Sequence, residues 1–171
     1  MIKARFYGGN VTTEATEAAR ELYNKSCFGA MKKDNVILSL FEAFYLFEKG
    51  KICMTEGNKQ LTEESFLKRA RKQIKNFSVK YVVFKDLRDR GYVVKTALKF
   101  GAEFRVYDKG INPGEDHAKW IVYPVHESEH LTWHDFSAKN RVAHSTKKHL
   151  LIGIVDDEED VTFYEIAWKR P

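Results

Sequence analysis

From Tyr92 to its C-terminus the chain is a succession of short apolar runs separated by turn signals, a pattern that commits this half to a sheet. Tyr92 to Ala97 and Ala102 to Tyr107 read as strands parted by Phe100 and Gly101, and Asp108 to Asp116 is a polar loop holding Gly110, Pro113 and Gly114. Trp120 to Val125 is the next strand; Pro124 has no N–H to give a ladder and hints at an edge or a bulge. Trp133 to about His144 is expected to be a helix. Leu150 to Val155 is an apolar run short enough for a buried strand, and the acidic turn Asp156 to Asp160 leads into a partner strand from Val161 to Trp168. Tyr107, His117 and Lys148 each stand at or near the end of such a run. Although far apart in sequence, they can therefore meet at one edge of the sheet.

The first half has a different rhythm. Residues 2 to 11 suggest one or two strands around the turn Gly8 Gly9 Asn10, and Ala15, Ala18, Ala19, Leu22 and Tyr23 recur at helical spacing up to Gly29. Ser39 with Glu42 three residues on forms a capping box, and Gly50 stands where a glycine commonly ends a helix. Between them Leu40, Phe41, Ala43, Phe44, Tyr45, Leu46 and Phe47 leave a narrow polar stripe at Ser39, Glu42, Glu48 and Lys49, so this helix is expected to be buried on most sides. Lys51 to Met54 reads as a strand. Thr62 then caps a helix whose inner face is Phe66, Leu67, Ala70 and Ile74 and whose outer face is Lys68, Arg69, Arg71, Lys72 and Lys75. That basic face is either a solvated surface or a surface for the RNA backbone. Asn76 Phe77 Ser78 looks like a joint, with Ser78 capping a helix through Asp89 that Gly91 terminates. The expected architecture is α+β, a small mixed domain over 1–77 followed by an α/β domain over 78–171 with a central mixed sheet.

Composition narrows the function. With 43% apolar residues in 171, the chain can build real cores, and no run approaches the roughly eighteen apolar residues of a membrane span. A cytoplasmic protein without a leader is expected. Cys27 and Cys53 lack metal or disulfide spacing and read as buried free thiols. His126, His130 and His134 would share a face only on a continuous helix, which Pro124 and the β-like composition disfavour, so no metal or other cofactor is expected. The net charge of +5 favours a polyanionic partner.

The side chains at the strand ends suit phosphodiester chemistry. RNA carries its own nucleophile, the 2′-hydroxyl; cutting it needs a base for that proton, an acid for the leaving 5′-oxygen and a cation for the charged phosphorane. A phenol, with an ordinary pKa near 10, serves as base where a nearby cation depresses that value, which suits Tyr107 beside Lys148. Lys148 would also stabilise the transition state. An imidazole, with an ordinary value near 6.5, is the natural acid, which suits His117. Taken singly, each residue has an ordinary explanation as a packing tyrosine, a solvated loop histidine or a member of a surface charge run.

At these residues the chain resembles the archaeal tRNA-splicing endonucleases of the short single-chain type. The matching stretches are Phe104 Arg105 Val106 Tyr107, Asp116 His117 Ala118 Lys119 Trp120, Arg141 to Lys148, Leu150 to Asp156 and Val161 to Ile166, with Leu38 to Leu46 in the first half. The resemblance implies a restriction-endonuclease-like catalytic domain, with Tyr107, His117 and Lys148 as the catalytic residues. Lys147 is the near rival of Lys148, which is preferred because the family places a basic residue just before the catalytic one. It also implies that Arg141 and Trp168 clamp a base extruded from the substrate, by stacking or cation–π contact. Ala118 stands where the family often has Ser, and Thr146 Lys147 replaces a frequent Val-Arg; neither removes a reacting group.

The resemblance further implies a homotetramer, a dimer of dimers in which Asp156, Asp157, Glu158, Glu159 and Asp160 enter a basic pocket of the opposing pair. Its substrate would be precursor tRNA with a bulge-helix-bulge motif, cut without metal to a 2′,3′-cyclic phosphate and a 5′-hydroxyl. The rival expectation is a non-catalytic RNA-binding or scaffold subunit of a splicing endonuclease complex, against which the presence of all three reacting groups argues.

Overall fold

Two glycines set the first hairpin. Gly8 and Gly9, at φ of 56° and 87°, form the two-residue turn between β1 (Ile2–Tyr7) and β2 (Asn10–Thr13), a backbone bend that L side chains resist. The computed structural model describes residues 1–171 and divides into two compact units, Met1–Phe77 and Ser78–Pro171.

The first unit has helix α1 (Glu17–Asn24) after this hairpin, then strands β3 (Ala30–Lys32) and β4 (Asn35–Leu38). Helix α2 (Leu40–Glu48), strands β5 (Ile52–Glu56) and β6 (Lys59–Gln60), and helix α3 (Glu63–Gln73) complete it. Its sheet runs β3-β4-β2-β1-β5-β6, parallel only between β1 and β5. Strands β3, β4 and β6 carry no clear sequence signal: they are short, and the turn at Lys33 uses a lysine at φ 55° instead of glycine. Aromatic packing fills the core, with Phe44 stacked on Phe66 at 5.4 Å and Phe41 on Phe77 at 4.9 Å between ring centroids.

Helix α2 has the expected capping box, but Glu42 does not lie on a polar stripe. It is 4% exposed. One carboxylate oxygen accepts the Gly29 N–H at 2.8 Å and the other accepts the Ser39 N–H and hydroxyl, each at 2.9 Å. The box thus turns inward and ties the α1–β3 connection to the helix. Arg69, on the expected basic outer face of α3, bonds Glu56 through Nε at 3.0 Å. Cys27 is buried, whereas Cys53 is half-buried, with its thiol 3.7 Å from the Ile2 carbonyl.

Helix α4 starts at Phe77, the last residue of the first unit, and continues in the second to Asp89. Ser78 therefore lies inside the first turn and is not its cap, the chain having turned at Asn76 with φ 56°. Strands β7 (Val93–Thr96), β8 (Phe104–Tyr107) and β9 (Trp120–His126) follow, then helix α5 (Trp133–Ser145) and strands β10 (His149–Val155) and β11 (Val161–Ile166). Their order is β11-β10-β9-β8-β7, with β9 and β10 parallel and α5 as the crossover between them. Strand β9 is interior, contrary to the hint from Pro124. The β8 ladder stops at Val122, however, so β8 asks no N–H of Pro124. Trp168 lies beyond the end of β11, which stops short of the expected strand.

Both faces of this sheet are covered. Val83 of α4 lies against Gly153, where an added Cβ would come within 3.1 Å of both its methyls. On the opposite face Ala143 of α5 packs with Ile121, Tyr123, Leu150 and Ile152. Burial on two sides explains why β10 is an uninterrupted apolar run. No helix is long and apolar enough to cross a membrane.

Removing the Glu42 carboxylate should cost more than removing its capping partner. Glu42→Ala is expected to lose about 2 kcal/mol through orphaned donors, and Ser39→Ala about 1 kcal/mol as an ordinary cap loss. Urea unfolding of the full chain measures both; an unfolding midpoint unchanged in Glu42→Ala would contradict this account.

Candidate active site

The backbone of Lys119 joins three elements. Its N–H donates to the Val106 carbonyl of β8 at 2.9 Å, and its carbonyl accepts the His149 N–H of β10 at 2.9 Å. Tyr107 follows Val106, Lys148 precedes His149, and His117 is two residues before Lys119. The backbone of one residue thus holds the neighbours of all three residues in register. The intervening loop is closed by Lys119 Nζ on Asp108 Oδ2 at 3.0 Å. That hydrogen bond holds the Asp108 carboxyl below its ordinary pKa and the Lys119 amine above its own. Within the loop the Asn112 side chain donates to the Glu115 carboxylate, and Asp116 accepts the His117 N–H at 2.6 Å.

The end of α5 decides which lysine enters the site. The Lys148 N–H donates to the Ala143 carbonyl at 2.8 Å and the Lys147 N–H to that of His144 at 3.0 Å, the two bonds of a Schellman motif. Lys147 occupies the left-handed position where glycine is usual, at φ 57°. The chain reverses there, leaving Lys147 exposed and Lys148 half-buried.

Tyr107, His117 and Lys148 line one cleft of about 400 Å³, together with Phe100, Arg105 and the segment Gly114 to Ala118. Tyr107 is 4% exposed, at the end of β8, while His117 is exposed in the loop above it. Lys148 Nζ donates to the Thr146 carbonyl at 2.9 Å and lies 5.4 Å from the centre of the Phe100 ring. Burial, and then the nearby Arg105 guanidinium, hold the Lys148 amine below the ordinary lysine pKa. A phenol, an imidazole and an ammonium around one cleft can take a proton, return one and steady an anion between them.

Arg141 and Trp168 meet elsewhere. They line a second cleft of about 310 Å³ with Phe136, Ser137, Asn140 and His144, and the Trp168 ring stands edge-on to His144 at 4.1 Å. The acidic turn is at the far end of β10 from Lys148, about 20 Å away over seven residues. Asp156 serves the turn itself, accepting the N–H groups of Glu158 and Asp160 at 2.9 Å, while Asp157 faces His126 Nε2 at 3.2 Å. His126 ends β9, His130 lies in the connection and His134 is in α5, so the three share no helical face.

Arg105 and Phe100 also line the cleft, and neither was among the expected site residues. For Arg105 a signal existed, since two residues before Tyr107 on a strand is the same face. For Phe100 none did, because a short 3-10 turn, Leu98–Phe100, carries it.

Comparison with known proteins agrees with the architecture. Residues 77–163 match the family model described as tRNA intron endonuclease, catalytic C-terminal domain, and residues 2–67 match its N-terminal domain. A tRNA-splicing endonuclease of Thermococcus onnurineus is 41% identical over 169 residues, covering 99% of this chain and 97% of that protein. Those of Methanothermobacter thermautotrophicus and Nanoarchaeum equitans are 43% and 46% identical, over 94% and 81% of this chain and 94% and 92% of their own lengths. Matched along nearly its whole length, the chain belongs to the tRNA intron endonuclease family and carries both its N-terminal and its catalytic C-terminal domain.

Proposed function

We propose that this chain excises introns from precursor tRNA by cutting at bulge-helix-bulge motifs, using the RNA's own 2′-hydroxyl and no metal or other cofactor. What carries the reading is the meeting of Tyr107, His117 and Lys148 in one cleft of a chain of this family. Tyr107 takes the 2′-hydroxyl proton as O2′ bonds to phosphorus. His117 gives a proton to O5′ as the P–O5′ bond breaks. One proton is removed and one is returned, leaving a 2′,3′-cyclic phosphate and a 5′-hydroxyl. Lys148 carries the charge of the phosphorane between these events.

Arg141 and Trp168 clamp a splayed base of the bulge, the indole face and the guanidinium each accepting a flat ring. Four copies assemble as a dimer of dimers, with Asp157, Glu158, Glu159 and Asp160 presenting carboxylates to a basic pocket of the opposing pair while Asp156 shapes the turn. Support for this placing comes from the turn's position at the opposite end of β10 from the cleft, which leaves the cleft open to RNA.

Lys148→Ala should slow single-turnover cleavage of a bulge-helix-bulge RNA by at least roughly 10²-fold, with little change in RNA binding, while Lys147→Ala cuts almost normally. EDTA should leave the rate unchanged. Loss of cutting in chelator contradicts the metal-free reaction, a reversal of the two lysines contradicts the assignment of Lys148, and a purified chain that binds but never cuts supports a scaffold role instead. Light scattering of the purified chain should give the mass of four copies; a monomer would contradict the assembly.

A further inference from the structure

Arg105 is charged, half-buried and without a counterion. It sits on β8 directly opposite Ile121 and on the same face as Tyr107, whose ring centre is 5.9 Å from the guanidinium carbon. Its Nε is screened from solvent and makes no hydrogen bond. The carboxylates that share the cleft are otherwise engaged: Glu115 bonds Asn112, and Asp116 bonds the His117 amide. Its neighbour across the cleft is a second cation, Lys148, which feels the repulsion.

Two unneutralised cations drawn partly out of water are unfavourable in the free protein, and an anion that arrives between them offsets that cost. A phosphodiester brings one negative charge, and the phosphorane formed from it brings a second. A guanidinium is a planar fork that matches two oxygens of one phosphate, which a single ammonium does not.

We propose that Arg105 is a further catalytic residue, its guanidinium donating to the nonbridging oxygens of the scissile phosphate and sharing with Lys148 the charge of the phosphorane. This assignment rests on the phosphodiester-cutting reading above. It divides the labour in the cleft: Tyr107 and His117 move protons, while Arg105 and Lys148 hold charge.

The test is single-turnover cleavage of a bulge-helix-bulge RNA by the full chain and by Arg105→Gln and Arg105→Lys, with binding of the same RNA carrying a 2′-deoxy sugar at the cut. Arg105→Gln should cut roughly 10²- to 10³-fold more slowly, as expected for loss of one oxyanion donor, while still binding the deoxy RNA. Arg105→Lys should recover part of the rate. The pH profile supplies a readout that a role confined to packing would not move. Lys148 acts while charged, so the rate is lost as pH rises through its lowered pKa. Removing the like charge of Arg105 raises that pKa and shifts the alkaline limb to higher pH.

Arg105→Gln cutting within about threefold of the wild type overturns the assignment. So does an equal loss of rate in both variants with the Arg105→Gln pH profile unmoved, which marks Arg105 as a packing residue. A wild-type chain that does not cut at all overturns the splicing reading, and this assignment with it.

Discussion

The pair of hydrogen bonds made by the Lys119 backbone is the constraint on which the catalytic half depends. Strands β8, β9 and β10 would form a sheet without it, but their ends could slide or splay. By donating to Val106 and accepting from His149, the Lys119 backbone locks the mouth of the cleft where the three strands meet. Three residues separated by up to 41 positions then need only local geometry to line one cleft. In β8 that geometry is the two-residue alternation of a strand, in the loop it is Asp116 holding the His117 amide, and at α5 it is the left-handed turn at Lys147.

The two units answer to different physics. In the first, stacked phenylalanines and an inward capping box build a core around an almost wholly apolar helix, and its one buried carboxylate is occupied by backbone and hydroxyl donors. In the second, a sheet covered on both faces presents its chemistry at one end, where strands stop and polar groups can reach solvent. The cleft departs from the usual pairing of partly buried charge: Arg105 and Lys148 both line it and neither makes an ion pair. A fold tolerates this where function demands it, and that is why the pair is informative.

Most of the elements are legible in the sequence because period, caps and turn residues agree. Leu150 to Val155 announces a doubly covered strand, and Ser39 with Glu42 announces a helix start. What could not be read has physical reasons. The burial of Glu42 depends on Gly29, which is distant in sequence. The β3–β4 hairpin turns on a lysine at positive φ. Trp168 follows an apolar alternation that the sheet does not continue. At the site, the convergence of Tyr107, His117 and Lys148 follows from their places at strand ends, but the side to which each lysine points depends on Lys147 taking a conformation that its residue type disfavours. Arg105 was legible by spacing, yet only its unpaired burial gives it significance.

In the proposed reaction the cleft drives attack by a neighbouring 2′-oxygen, with the protein moving protons and bearing charge. The most direct measurement is the chemistry of the cut ends, by mass spectrometry of the RNA fragments. A 2′,3′-cyclic phosphate on one fragment and a 5′-hydroxyl on the next is the expected result. A 3′-hydroxyl paired with a 5′-phosphate would mean that water attacked the phosphorus, and would contradict it.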